Sequence, residues 1–416
     1  MQMIYKSRII KTYLKFMIRK QIQKLSENRN LAIIAVIAVV NALGYGIIIP
    51  ILYSYSRKFG LSDFQNGLLF ALFSLCSFLS TPLIGRLSDK YGRKPLLVIS
   101  ITGTAISFII AAFAPSAIFL FLARALDGIT AGNIPVASAV ISDTTPPQDR
   151  ARGFGIIGAS FGFGFLFGPA ISAATVQFGL NAPFLIAAAI SIIAVLLTVF
   201  FLPETNQHIG QVQKGKIFDI PKLVNSVFDP NVGRTLLISL IYNFAFAMFI
   251  FAYQPFFVKV LHLNPGQIAL LFIQFGIVGL IMQVFVIQKI VRKFGEKKVF
   301  MVALLIGSIS YFLLFFVNTL VLFVALAFVT SAANSFVGPL IQTILSKETD
   351  ERSQGSIQGL NASYVSIGSI FGPIVAGILA TFILPLPFFA GSIVLFLCFV
   401  LSFGIVLSNR HLQHAF

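Results

Sequence analysis

The chain has no tryptophan, only two cysteines and four histidines, and few charges of any kind, and each shortage removes a class of protein from consideration. Cys76 and Cys398 stand far apart inside apolar runs, so neither a disulfide framework nor a thiolate metal site is implied. His208, His262, His411 and His414 fall in loops or tails. No set of metal ligands, nucleophile-base pair or phosphate-binding glycine loop accompanies them, which makes a membrane enzyme or receptor the remotest reading; no metal or organic cofactor is expected. Acids are scarce: 13 Asp and Glu stand against 30 Lys and Arg, for a formal net charge of +17. No interleaved aromatic and basic module would let that charge bind nucleic acid.

Apolar residues dominate what remains. They make up 57% of 416 residues, with 46 phenylalanines and a mean hydropathy of +0.93, values foreign to a soluble domain. Windows long enough to cross about 30 Å of hydrocarbon fall near 31–53, 66–86, 95–114, 117–141, 153–176, 182–202, 235–257, 267–288, 299–317, 319–344, 355–380 and 387–408. Each is far longer than a barrel strand and lacks two-residue alternation, so an all-α membrane protein with about twelve transmembrane helices is expected.

Basic residues orient the spans. Eight occupy the first 29 positions, four lie in 86–94 and five in 289–298, whereas the opposite face carries Arg57, Lys58 and Lys259. Both termini are therefore expected in the cytoplasm, and the charge is read as topology and attraction to anionic lipid headgroups. In the tail 1–29, Tyr5, Ile9, Ile10, Tyr13, Leu14, Met17 and Ile18 alternate with Lys and Arg at near-helical spacing. A helix lying on the inner membrane surface fits that pattern, as does a tail that anchors topology by charge alone. Residues 203–233, with Gly210, Gly215, Pro221 and Pro230, form a polar linker between a first six-helix bundle, 30–202, and a second, 234–408; a short tail, 409–416, follows.

The halves repeat each other. Gly85-Arg86-Leu87-Ser88-Asp89-Lys90-Tyr91-Gly92-Arg93-Lys94 has a worn echo in Gln288 to Val299, which keeps an aromatic-Gly pair and basic character but has no acid aligned with Asp89. Gly168-Pro169 in the fifth span is matched by Gly372-Pro373 in the eleventh. The 85–94 segment resembles the loop signature of the major facilitator superfamily, Gly-x-Leu-x-Asp-x-x-Gly-Arg-Lys, between its second and third spans. That resemblance implies two pseudo-symmetric six-helix bundles that rock about a midplane site. It also implies that Gly85, Asp89, Gly92 and Arg93 act as a conformational latch opposite the start of span eleven, near Gln354-Gly355. The alternative is that the basic residues only set topology.

Span four carries Arg124-Ala125-Leu126-Asp127-Gly128 and, downstream, Gly132-Asn133. Charges at mid-membrane cost about 2.5–3.5 kcal/mol each on insertion scales, and a spacing of three lets Arg124 and Asp127 partly neutralise each other. The segment resembles the Arg-x-x-x-Gly signature of the drug/proton antiporter branch, in particular tetracycline-resistance-type efflux proteins, whose arginine is associated with proton coupling. Asp127 is the only carboxylate placed well inside a span, so the resemblance implies a proton as coupling ion carried there; a permanent structural ion pair is the competing reading. Gly158, Gly162, Gly164, Gly168 and Pro169 come close to the branch's span-five pattern, departing at Ser172-Ala173. Span one, Leu43 to Tyr53, follows the branch except that Tyr53 replaces a second proline.

Polar side chains left within spans include Asn41, Tyr45, Asn133, Tyr242, Asn243, Tyr253, Gln254, Gln274, Gln283, Asn334, Gln342, Asn361 and Tyr364. Among them Asn41, Tyr45, Asn133, Asn243, Tyr253, Gln274, Asn334 and Tyr364 are the candidates for a cavity walled by Phe, Ile and Leu, suited to a lipophilic, weakly polar small molecule; interhelical hydrogen bonding is the plainer alternative for each. Efflux by drug/proton antiport is thus the first expectation, with uptake or facilitated diffusion of a metabolite second. The chain is expected to work as a monomer in a bacterial inner membrane.

Overall fold

The computed structural model describes residues 31–145, 150–206, 209–210, 220–349 and 354–405, and among them every regular element is a helix. The surface helix expected in 1–29, residues 207–208 and 211–219 of the 203–233 linker, the loop 350–353 and the tail 409–416 lie outside the described residues. In chain order the helices are α1 Leu31–Arg57, α2 Asp63–Tyr91, α3 Arg93–Ala112, α4 Ala117–Ile129, α5 Asn133–Thr144, α6 Arg150–Thr175 and α7 Ala182–Phe201. After the short linker helix α8, Ile220–Ser226, come α9 Gly233–Lys259, α10 Pro265–Ile281, α11 Ile287–Phe294, α12 Glu296–Leu314, α13 Leu320–Glu348, α14 Gln354–Phe382 and α15 Leu386–Ser402. Among the described residues ten helical stretches are long and apolar enough to span a membrane, and Gly162–Phe178 and Leu386–Ser402 are shorter apolar helices, so the twelve expected crossings are all present.

Two crossings are not the plain helices that the sequence suggested. The fourth breaks after Ile129 and resumes at Asn133. Pro135 accounts for this, since its ring lacks an N–H and collides with the carbonyl four residues back, at Ala131, while Gly132 tolerates the interruption. The eighth passes through a π-helical turn, Met282–Val286, between α10 and α11.

Duplication is visible in the backbone. Ser62 and Gln65 form a capping box at the start of α2, and Asn264 and Gln267 form one at the start of α10. The far ends of those crossings stop at Gly92 and Gly295, both with positive φ, +106° and +81°. The aromatic-Gly pair shared by the two loops is therefore one backbone reversal used twice.

Small residues fix the helix contacts. A side chain on Gly46 would strike Gly164 and Gly168, and one on Gly164 or Gly168 would strike Ala42 or Gly46, so α1 and α6 meet backbone to backbone. Gly368 and Gly372 of α14 press in the same way on Leu240, Asn243, Phe244 and Ala247 of α9. Apolar packing follows the two bundles: two clusters are built from residues between 33 and 202, and a third from 232 to 405 with Ile49 as its one core member from the first bundle.

The bundles touch at one end. A side chain on Gly67 of α2 would run into Pro373 of α14, and one on Gly377 into Asp63 and Phe64. Towards the end that carries the basic loops, Gly85 and Gly359 on the same two helices have open space where a side chain would sit. A cavity of about 740 Å³ lies between the bundles and runs from mid-bundle towards that basic end, as Thr81, Ile134, Gln342 and Gln358 in its lining show.

Candidate functional site

The basic end holds the first group of candidates. Asp89, in the last turn of α2, accepts from Arg93 Nη1 at 2.5 Å, and Arg93 Nε donates to Asp143 of α5 at 2.9 Å. Arg93 also donates to the Ser88 hydroxyl at 2.7 Å. Glu204, just after α7, accepts from the backbone N–H groups of Arg93 and Lys94 at 2.9 and 3.1 Å, satisfying donors that a helix start leaves free. Gly92 is required there, because a side chain on it would occupy the space of the Glu204 carboxylate. Asn206 Nδ2 donates to the carbonyl of Asp89 at 3.0 Å. Asp89 is thus paired within the first bundle, and Gln354, at the start of α14, instead donates to the carbonyls of Ser346 and Thr349 at the end of α13. Glu204 and Asp143 escaped the sequence reading; an acid placed to meet a helix start some 110 residues earlier leaves no local signal.

The second group sits in the fourth crossing. Arg124 Nη1 donates to Asp127 Oδ2 at 3.0 Å, and the guanidinium lies 4.3 Å above the ring of Phe73 on α2. Both side chains are about nine-tenths buried, at 11% exposure, yet both line the cavity. Arg124 Nε is buried without a partner among the described residues. Gly128 explains how α4 comes so close, since a side chain there would strike the Phe73 carbonyl and Cys76 on α2. The Ser80 hydroxyl then donates to the Gly128 carbonyl at 2.8 Å, and Thr130 donates to the Leu126 carbonyl at 2.8 Å, so the broken end of α4 keeps polar partners. The break brings Asn133 to the N-terminus of α5, where its Nδ2 donates to Asn41 Oδ1 of α1 at 2.7 Å.

Asn41, Tyr45, Asn133 and Asn243 all line the cavity. Tyr45 is 40% exposed and packs edge-on against Phe165 with ring centres 6.0 Å apart. Asn243 lines the opposite wall and donates to the Ser239 carbonyl at 2.8 Å. Pro373 is also in the lining, whereas Gly164, Gly168 and Gly372 serve helix approach.

Four other candidates lie elsewhere. Tyr253 is fully buried among Phe257, Phe323 and Phe388 inside the second bundle. Gln274 ties α10 to α13 by donating to the Val324 carbonyl at 3.3 Å. Asn334 meets the hydroxyls of Tyr242 and Tyr311 at 3.4 Å each. Tyr364 donates to the Leu223 carbonyl at 2.5 Å, fastening the linker helix α8 to α14. For Gln274, Asn334 and Tyr364 the plainer alternative, hydrogen bonding between helices, describes what is seen, whereas the Tyr253 hydroxyl is buried with no hydrogen-bond partner among the described residues. The cavity also contains Gln358 and a row of small hydroxyls on α2, Ser74, Ser77 and Thr81. Their spacing of three and four along one helix face is a signal the sequence carries, fainter than that of an amide or a phenol in an apolar span.

The model of the Major Facilitator Superfamily matches residues 34–283 and 235–415. The tetracycline resistance protein of class C from Escherichia coli is 32% identical over 364 residues, covering 84% of this chain and 89% of its own. Multidrug resistance protein 2 from Bacillus subtilis is 29% identical, covering 85% and 89%. Among solved structures, the human organic anion transporter MFSD10 superposes with a TM-score of 0.71 at 20% identity over 90% of this chain and 99% of that one. A bacterial homologue of the lysosomal transporter Spinster gives 0.73 at 19% identity, over 91% and 98%. With two six-helix bundles around a central cavity and a family match running nearly from end to end, the chain belongs to the Major Facilitator Superfamily and is a multi-pass membrane transporter, not an enzyme.

Proposed function

We propose that this transporter exports a small lipophilic compound in exchange for protons, from the cytoplasm of a bacterium across its inner membrane. The observation that carries the reading is the Arg124–Asp127 pair, buried at mid-span and yet lining the cavity between the bundles. An ionised carboxylate there is held by one arginine and by the Thr104 hydroxyl, so a change in the separation of Arg124 and Asp127 changes which protonation state is favoured. A carrier of one proton per cycle needs one such group. Relatives named for resistance to tetracycline, to multiple drugs and to quinolones support a drug-like cargo. The cavity agrees, for Phe70, Phe73, Phe108, Phe165 and Phe246 share its lining with a few amides.

The basic end faces the cytoplasm, because Lys and Arg crowd its loops. The conformation described is then open inward, and among the described residues Asp89 and Arg93 are paired only within the first bundle and the start of the linker; in the outward-open form they turn to the start of α14 and hold the inner mouth shut. A proton moving inward yields about 2.3 kcal/mol per 100 mV, enough for roughly fiftyfold accumulation of a neutral solute at one-to-one exchange.

Everted vesicles energised to an acid interior test the reading. Adding a transported drug should dissipate part of the proton gradient and load the drug into the lumen, and Asp127→Asn should abolish both. Drug movement that ignores the gradient would instead mark a facilitator.

A further inference from the structure

At the end remote from the basic loops, buried polar groups from both bundles meet in a set of contacts that the transport reading leaves without a task. Asp63 opens α2 and is 5% exposed. The Tyr53 hydroxyl donates to its Oδ1 at 2.5 Å, and Lys259 Nζ, in the last turn of α9, donates to its two oxygens at 2.8 and 2.6 Å. Five residues before Lys259, the Gln254 side chain is 1% exposed. Its Nε2 donates to the Ile49 carbonyl at 2.5 Å, and its Oε1 accepts from the Tyr53 N–H at 3.0 Å. Ile49 and Tyr53 are four residues apart on α1, so these are the two groups that one rung of a regular helix would pair together. The carboxamide of the second bundle is threaded into the backbone ladder of the first.

Tyr53 is the position at which this chain departs from its branch's span-one pattern. A proline there would offer neither the N–H that Gln254 holds nor the hydroxyl that Asp63 holds. With both bundles together, every one of these buried groups is satisfied; with the ends apart, Gln254, the Ile49 carbonyl and Asp63 each lose a partner and need water in its place. The arrangement therefore has two stable states, closed and dry or open and wet. Gly67 and Gly377 seal the same end between α2 and α14 by backbone approach, a contact that packing alone can make and break.

We propose that Gln254 clamped on Ile49 and Tyr53, together with the Asp63–Lys259 pair, forms the outer gate of this transporter and sets how often the cavity opens outward. The proposal rests on the inner and outer faces and the alternating access assigned above. It identifies Gln254 and Lys259 as gating residues that never touch the cargo.

The test uses the full chain with Cys76→Ala and Cys398→Ala and a reporter cysteine at Ser74, which lines the cavity. A membrane-impermeant maleimide is applied to right-side-out and to everted vesicles. Gln254→Leu should speed labelling from outside by about tenfold and slow it from inside, as expected from losing two buried hydrogen bonds across a two-state equilibrium. Lys259→Gln, a milder change, should likewise speed labelling from outside and slow it from inside, and the exchange Asp63→Lys with Lys259→Asp should return both rates towards the parent. Parent-like rates in Gln254→Leu and Lys259→Gln, or acceleration from both faces together, would overturn the proposal. Neither drug nor proton gradient enters the assay, so it can succeed even where proton exchange at Asp127 fails. Acceleration from the inner face alone would overturn the gate together with the assigned orientation.

Discussion

Arg124 is shared between a carboxylate and an aromatic face, and this division makes specific demands on its side chain. Its guanidinium reaches Asp127 with one nitrogen while its plane lies over Phe73. A lysine keeps the charge but has no plane to stack and a single nitrogen to offer. Arg124→Lys is therefore expected to lower drug-driven proton release by about tenfold, the equivalent of about 1.4 kcal/mol of lost stacking and hydrogen-bond geometry, measured in everted vesicles at fixed protein. Asp127→Asn should behave differently: exchange of unlabelled for labelled drug across the membrane persists while proton-driven accumulation disappears. If accumulation against a proton gradient survives in Asp127→Asn, the ion pair is structural, and the proton travels elsewhere. The pair itself was legible in the sequence, since a lone arginine and aspartate three residues apart in an apolar span have few other uses. The stacking on Phe73 was not, because nothing in the spacing says which residue of α2 faces Arg124.

Among the helices, small residues matter through what they allow to come near. Gly168 has no room for a side chain against Gly46, whereas Gly162, on the same helix, has open space. Gly168→Val should cost about 1–3 kcal/mol through overpacking, seen as a lower midpoint of thermal aggregation in detergent, while Gly162→Ala should leave the midpoint unchanged or raise it. Equal effects at the two sites would mean that helix approach is not what the Gly-rich pattern of α6 provides. The break between α4 and α5 makes a second prediction. Pro135→Ala restores the missing donor, so the crossing should heal towards a continuous helix, gain stability, and transport less as Asn133 turns away from Asn41. Apolar windows marked all twelve crossings, because lipid demands long helices whatever the cargo. They could not mark the break at 130–132 or the π-turn at 282–286, since both keep the hydropathy of their surroundings. Nor could they separate Asn41 and Asn133, which line the cavity, from Gln274 and Asn334, which brace helices; an amide in an apolar span looks the same in either place.

For the whole molecule, the decisive feature is the contrast between its two ends. At one, Gly67 and Gly377 press on the opposite bundle; at the other, Gly85 and Gly359 face open space. Repeated loops and a matched Gly-Pro in each half predicted the two bundles, but one sequence serves every conformation, so which mouth stands open was readable only from the packing. The same packing leaves Asp89 and Arg93 paired within their own bundle. Distances between spin labels test the alternation itself. One pair goes at Gly85 and Gly359, where space is free, and another at Phe64 and Phe382, exposed on α2 and α14 at the far end. On adding a transported drug or shifting the pH, the first distance should shorten as the second lengthens, in one concerted exchange of populations. Two distances that stay fixed while transport proceeds, or that grow and shrink together, would contradict it.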